Sequence, residues 1–142
     1  MKLVSLLLLS CAGVVFGQAN GGSTSHYEVL KHERMFCIAG GFSGAVTPAG
    51  HSLVAIARQR DAAEVFLRLT HADNPTAQLF GMLGLKTIGS DQFNSALAKL
   101  MKDKSQITVL EGCIAGKREV GKVANEIDLG RWTVGFVVSG QR

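Results

Sequence analysis

The sequence predicts a mostly helical α+β fold, with four to five helices in antiparallel hairpins and a small sheet of two to three short strands. Three observations support this prediction. Apolar residues recur at helical spacing, most regularly over 93–101. Helix-start signals at 47–48 and 74–75 each place a capping side chain before a proline at the first helical position. The β-branched stretch 107–110 (ITVL) is typical of a short strand.

The composition is that of a folded domain. The 142 residues are 46% hydrophobic and 18% charged, with a formal net charge of +4. A chain of this length forms one domain, and its apolar content is sufficient for a core. Because the basic surplus is small and spread along the chain, it argues against nucleic acid as a partner.

The first 19 residues are typical of a secretory signal peptide. Lys2 supplies the positive start, and 3–16 is an uncharged, leucine-rich run that is too short to span a bilayer comfortably. The small residues near its end are compatible with cleavage after Gly17 or after Ala19. We therefore expect an exported protein, periplasmic or secreted, whose mature chain has no transmembrane segment.

A second interpretation of this segment adds a lipid. Residues 8–11 (LLSC) resemble a bacterial lipobox, in which Cys11 would be lipidated and would become the first mature residue. The apolar run before Cys11 is short, and apolar residues continue past it to Phe16. A membrane-anchored lipoprotein is thus the alternative localisation, and an uncleaved anchor is a third.

The mature chain begins with a polar segment over 20–34, expected as a flexible approach segment or a short helix. A single compact helical domain over 35–142 follows. Residues 35–42 (MFCIAGGF) predict a short buried strand that breaks into a glycine-rich turn. The start signal Thr47-Pro48 then predicts a helix that continues to the region of Arg58.

Two helices come next. Asp61 opens the first, which has one apolar face and ends near Ala72. The second, over 75–87, is apolar almost all round, which predicts that it is the central buried helix. Its Gly81 and Gly84 each weaken it by about 1 kcal/mol relative to alanine. We therefore expect a neighbouring helix or strand to approach closely at these glycines.

Three more elements complete the predicted fold. A helix that begins at Ser90 or Asp91 carries the regular apolar stripe. After the 107–110 strand, a last amphipathic helix is predicted up to 130. Residues 131–138 predict a final strand of the small sheet.

Cys37 and Cys113 would be the only cysteines left once a signal peptide containing Cys11 is removed. Two cysteines in an oxidising compartment favour a disulfide, and two small buried hydrophobic side chains are the alternative. Each cysteine adjoins a short apolar stretch and a glycine, which suggests two strand ends that meet. We predict a Cys37–Cys113 disulfide that fastens the sheet to itself.

Five pieces of the sequence together carry a resemblance. They are Phe36-Cys37, Gly40-Gly41-Phe42, 62–69, 77–85 (AQLFGMLGL) and Gly112-Cys113. This set resembles a group of small exported bacterial proteins of unknown function. The likeness covers nearly the whole mature chain, and its most specific pieces are AQLFGMLGL and the glycine-cysteine pair. It implies export and a disulfide, and it implies no activity.

The glycine-rich stretch 40–45 (GGFSGA) invites comparison with three motifs. It lacks the Lys-Ser/Thr ending of a phosphate-binding loop, and it is too irregular for a dinucleotide fingerprint. Ala45 stands where a nucleophile elbow requires glycine. A glycine-rich bend after a strand is the favoured interpretation, and a small secreted hydrolase is the alternative. Such a site would use Ser43 with His51 or His71 and Asp61 or Asp73.

Neither a metal nor a cofactor is predicted. His26, His32, Glu33 and Cys37 could be drawn together as ligands, but the second histidine of a zinc-protease helix is missing, because Phe36 stands there. Exposed polar residues explain the group better.

The basic residues form three groups that are typical of a solvated surface. They are Lys99, Lys102 and Lys104 on or near the fourth helix, Arg58 and Arg60 at a turn, and Lys117, Arg118 and Lys122 at the start of the last helix. The chain has one Trp and one Tyr, so aromatic stacking on bases is poorly supported and no nucleic-acid partner is expected.

The sequence does not specify an activity. Our leading hypothesis is an exported helical interaction or structural module without catalytic activity, which acts on an unknown protein or envelope component. A pocket that holds Ser43 near a histidine and a carboxylate would favour the hydrolase instead, whereas an apolar surface patch would favour the interaction module.

Overall fold

The structure is a computed structural model that describes residues 21–41 and 43–134. The described part is mostly helical and belongs to the α+β class, which confirms the predicted fold class. Its helices are α1 (Gly21–His32), α2 (Pro48–Ala57), α3 (Ala62–Thr70), α4 (Pro75–Thr87), α5 (Phe93–Leu100) and α6 (Val120–Asp128). Its strands are β1 (Met35–Phe36), β2 (Ala39–Gly40), β3 (Ala45–Val46), β4 (Gln106–Glu111) and β5 (Ile114–Glu119).

The strands form two small sheets. In the first, the order is β1-β4-β5: β1 runs parallel to β4, and β4 runs antiparallel to β5. The second is the hairpin of β2 and β3. An isolated bridge between Gly40 and Gly112 joins the two sheets, and the Gly41 N–H donates to the Gly112 carbonyl at 3.0 Å. The predicted strands near 36 and 108 thus lie in the same small sheet, as β1 and β4.

Helix α4 occupies the centre of the core, as predicted. Nine of its residues are buried. A Cβ atom on Gly84 would lie 2.2 Å from Cδ1 of Phe66, and one on Gly81 would lie 2.7 Å from the Phe66 carbonyl oxygen. Because no side chain fits at either position, the two glycines allow α3 to pack against α4 at close range.

The two predicted helix-start signals are confirmed. The Thr47 hydroxyl accepts a hydrogen bond from the Gly50 N–H at 3.0 Å and caps α2. The Asn74 side-chain oxygen accepts one from the Thr76 N–H at 3.0 Å and caps α4. Both caps satisfy backbone donors that the first turn of a helix leaves without an internal partner.

The polar segment over 20–34 is helical over Gly21–His32. Tertiary contacts explain the helix, because Leu30 is fully buried and Tyr27 packs against the core. At its carboxyl end, the Asn74 side-chain amide donates to the carbonyls of Lys31 and Glu33 at 3.1 and 2.7 Å. One residue thus starts α4 and holds the end of α1.

The prediction that Lys117 and Arg118 begin the last helix is wrong. Both lie on β5, and α6 begins at Val120. A tight turn after β4 sends the chain back along that strand, where Lys117 lies opposite Thr108. Strand pairing therefore overrides the local helical pattern.

Several predictions concern residues near the two ends of the chain. The signal peptide over 1–19 and the lipobox cysteine Cys11 lie outside the described residues. Of the predicted final strand over 131–138, residues 131–134 are described and form no strand.

Candidate interaction site

The hairpin of β4 and β5 ends in a two-residue turn at Gly112 and Cys113. Gly112 has a φ of +59°, and no described residue other than glycine has a positive φ. A positive φ followed by a negative one is typical of a type II′ turn, which requires glycine at its first central position. This turn makes Glu111 and Ile114 the closing pair of the hairpin.

The register determines which backbone groups of β5 face outward. In an antiparallel pair, residues that exchange hydrogen bonds alternate with residues that do not. A two-residue turn makes Glu111 and Ile114 a bonded pair, so Gly116 and Arg118 also bond to β4. The N–H and C=O groups of Ala115 and Lys117 therefore point to the outer edge of the sheet, where no further described strand pairs with β5.

The outer edge of β5 is open to solvent. Ala115, Gly116 and Lys117 are all exposed, and Ile114 is 77% exposed. Backbone donors and acceptors in such a row can pair with a strand from another molecule.

A small depression of about 180 Å³ lies on one face of this edge. Its lining residues are Val109, Glu111, Ile114, Gly116 and Arg118. The space exists because Gly116 has no side chain, and a Cβ atom placed there would meet nothing within 4 Å. The Arg118 guanidinium donates to the Glu111 carboxylate at 2.8 Å, so the two charges on the rim compensate each other.

A charged network fixes β5 to α6. Glu126 is only 8% exposed, and its carboxylate accepts hydrogen bonds from the Arg118 guanidinium and, at 3.2 Å, from the Trp132 indole N–H. Arg131 lies 3.8 Å from the same carboxylate. The Trp132 ring packs edge-on against Phe36, with centroids 4.9 Å apart. One buried carboxylate thus connects the edge strand, α6 and the core.

The two cysteines are unpaired in the structure, with Cys37 buried and Cys113 exposed. They nevertheless lie in neighbouring segments. A Cβ atom on Gly40 would lie 3.2 Å from the Cys37 sulfur and 3.4 Å from the Gly112 carbonyl oxygen. The turn that carries Cys113 therefore lies close to the Cys37 thiol, and the disulfide stays a prediction.

Cys37 has the surroundings of a packed thiol rather than those of a nucleophile. Burial, and secondly the charge of Glu33, raise the pKa of the Cys37 thiol above its usual value. Because the thiolate is the reactive form, a raised pKa lowers reactivity at neutral pH.

In the described part of the chain, the predicted hydrolase residues form no hydrogen-bonded serine–histidine–carboxylate triad. Ser43 lies in the exposed turn between β2 and β3, and His51 is exposed on α2. His71 follows the end of α3, and its Nδ1 lies 2.9 Å from the Leu67 carbonyl oxygen. In the described part, the Ser43 hydroxyl has no hydrogen bond to a histidine.

A different serine–histidine pair was not predicted. The Ser52 hydroxyl lies 3.1 Å from Nδ1 of His26 and connects α2 to α1. Ser52 is only 3% exposed, so a substrate would have no access to its hydroxyl. The pair therefore serves to hold the two helices together.

A second cavity, of about 450 Å³, lies between α1 and α3. The Arg68 guanidinium stacks on the Tyr27 ring at 4.2 Å from its centroid, in the geometry of a cation–π contact. The charged residues of the lining have both signs. They are Lys31, Arg68, Glu64 and Asp73, with His71 beside them. This mixture does not select a ligand class.

Lys99, from one of the three predicted groups of basic residues, makes a hydrogen bond within the fold. The Lys99 ammonium donates to the Thr70 carbonyl at 3.1 Å, at the carboxyl end of α3. A cation at this end of a helix satisfies a free carbonyl and interacts favourably with the helix dipole.

Within residues 21–41 and 43–134, no three His, Cys, Asp or Glu side chains are grouped so that they could hold a metal ion. None of the helices in the same part combines the length and the apolar character needed to cross a bilayer. The comparisons with known proteins add no assignment: no protein-family model and no curated protein matches this chain.

Proposed function

We propose that this chain is an exported interaction module, without catalytic activity of its own, that pairs the outer edge of β5 with an extended segment of another protein. The observation that supports the proposal is the row of outward backbone groups at Ala115 and Lys117 on an exposed strand. Adding a peptide strand to an open sheet edge is a recurrent mode of recognition, in which main-chain hydrogen bonds supply affinity.

Contacts with neighbouring residues hold β5 in the extended conformation that strand pairing requires. Arg118 connects the strand to the buried Glu126, and the type II′ turn at Gly112 fixes the hairpin register. A strand that is already held in its binding geometry loses less conformational entropy when a partner adds to it.

The substitution Ala115→Pro tests the proposal. It removes one outward N–H and leaves the bonds between β4 and β5 in place, because proline is tolerated on the free side of an edge strand. We expect peptides selected by the wild-type protein from a random displayed library to bind this variant about tenfold more weakly or worse, since a main-chain hydrogen bond is lost. Fluorescence polarisation with the synthetic peptides measures the change.

The matched control is Ala115→Val, which keeps the N–H and suits a strand. Circular dichroism establishes that both variants fold. Equal binding by the proline and valine variants, or failure of the library to yield any binding peptide, would contradict the proposal.

The exported state is also part of the proposal, supported by the residues of the predicted signal peptide and by the resemblance to small exported bacterial proteins. Intact mass of the protein recovered from a secreting host tests it. A mature chain that starts at Gln18 or Asn20 supports soluble export, and a diacylated Cys11 would instead support the lipoprotein alternative. A retained Met1 would contradict both.

The intact mass of the exported protein also tests the predicted disulfide. A Cys37–Cys113 bridge lowers the mass by two hydrogen atoms and blocks alkylation of both thiols before reduction. The neighbouring positions of the Cys37 sulfur and the Gly112 carbonyl support this prediction. Alkylation of Cys113 in the exported, unreduced protein would contradict it.

A further inference from the structure

Resting on the proposed function, we infer that β5 selects an extended partner segment in which a branched aliphatic residue stands next to an acidic residue. The inference combines two properties of the edge, which are the depression at Gly116 on one face and the charge of Lys117 on the other.

The depression provides the aliphatic preference. Three of its five lining residues, Val109, Ile114 and Gly116, carry no polar side chain, and its volume of about 180 Å³ is room for one branched side chain. Residues beside one another on neighbouring strands point to the same face. A side chain opposite Gly116 on an added strand would therefore lie over this space and bury apolar surface there.

Lys117 provides the acidic preference. Its ammonium donates to the Thr108 hydroxyl at 2.9 Å, and no carboxylate of the described residues forms an ion pair with it. By contrast, Arg118 is compensated by Glu111 and Glu126. Successive residues of a strand point to opposite faces, so the partner residue next to the aliphatic one faces Lys117.

The same charge argues against a second copy of this chain as the occupant. A symmetric pairing of two β5 strands centred on Lys117 would set the two ammonium groups directly opposite each other, and like charges in that position are destabilising. A lysine within an edge strand is also a common device against self-pairing.

Gly116→Val is the substitution that tests the inference. A Cβ atom at position 116 would meet nothing within 4 Å, so a valine side chain can extend into the depression. We expect equal or higher thermal stability, since β-branched residues suit strands. The affinity for library-selected peptides that contain the aliphatic residue should fall about tenfold, which corresponds to the loss of one buried side chain. Gly116→Ala, which only partly fills the space, is the control and should bind more nearly like the wild type.

Lys117→Glu tests the charge preference. Library selection on this variant should replace the acidic neighbour with a basic one while the aliphatic residue is retained. Peptides whose binding is lost in Ala115→Pro but kept in both Gly116→Val and Lys117→Glu would overturn the inference and leave the edge-pairing proposal intact. If the wild-type protein dimerises as its concentration rises and loses peptide binding as it does so, the occupant of the edge is a second copy of this chain. That result would also overturn the inference.

Discussion

Replacing Gly84 with alanine should lower the free energy of unfolding by about 2 to 3 kcal/mol, the upper range for an overpacked core. The added Cβ would lie 2.2 Å from the Phe66 ring, and Phe66 is fully buried between α3 and α4. Because the ring is packed inside the core, either the ring or the two helices must shift to admit the new atom. The gain in helix propensity, about 1 kcal/mol, offsets only part of this cost. Urea denaturation measures the difference.

Two further variants distinguish the clash with Phe66 from other effects of replacing a glycine with alanine. Gly116→Ala is the same chemical change at an open position and should be neutral or slightly stabilising. Phe66→Ala removes the ring, at a cost of about 3 to 5 kcal/mol on its own. In the double variant, Gly84→Ala should add much less than it costs alone, because its clash partner is gone. Strict additivity would contradict the predicted contact.

Replacing Glu126 with alanine should cost about 2 to 3 kcal/mol, because it leaves Arg118 without its buried partner and the Trp132 indole N–H without an acceptor. The Arg118 side chain is partly exposed, which keeps the penalty below that of a fully buried pair. Thermal denaturation measures the loss, and tryptophan fluorescence reports whether Trp132 leaves its site against Phe36.

Glu119→Ala is the control for this prediction. Glu119 forms an exposed ion pair with Lys122 at 3.6 Å, and such pairs contribute about 0 to 1 kcal/mol. A second comparison replaces both members of the buried pair, in Arg118→Met with Glu126→Leu, and should recover much of the stability because no buried charge is left unpaired. If Glu126→Ala and Glu119→Ala cost the same, the network does not anchor β5.

Local sequence patterns were sufficient where the chemistry is local. Thr47 and Asn74 cap the helices that they were expected to start, and the glycines of α4 mark its close contact with α3. Local patterns did not define helix α1, because the side chain that holds its carboxyl end is that of Asn74, more than forty positions away in the sequence.

The candidate site illustrates the same limit. Gly112-Cys113 follows an apolar stretch, and a glycine at the first of two turn residues is compatible with a hairpin. Residues 114–119 (IAGKRE), however, lack the apolar alternation that marks a strand. Lys117 and Arg118 consequently resembled the start of a helix. The partners of Glu126 come from β5 and from the segment after α6, and no spacing along the chain indicates that they meet.

Amide hydrogen exchange by NMR tests the central claim, the pairing of a partner segment with the outer edge of β5, most directly. In the free protein, the Ala115 and Lys117 amides should exchange rapidly, whereas those of Gly116 and Arg118 are protected by β4. A saturating library-selected peptide should slow exchange at Ala115 and Lys117 about tenfold or more, since opening then requires the peptide to dissociate. Unchanged rapid exchange at both amides with the peptide bound would contradict the account.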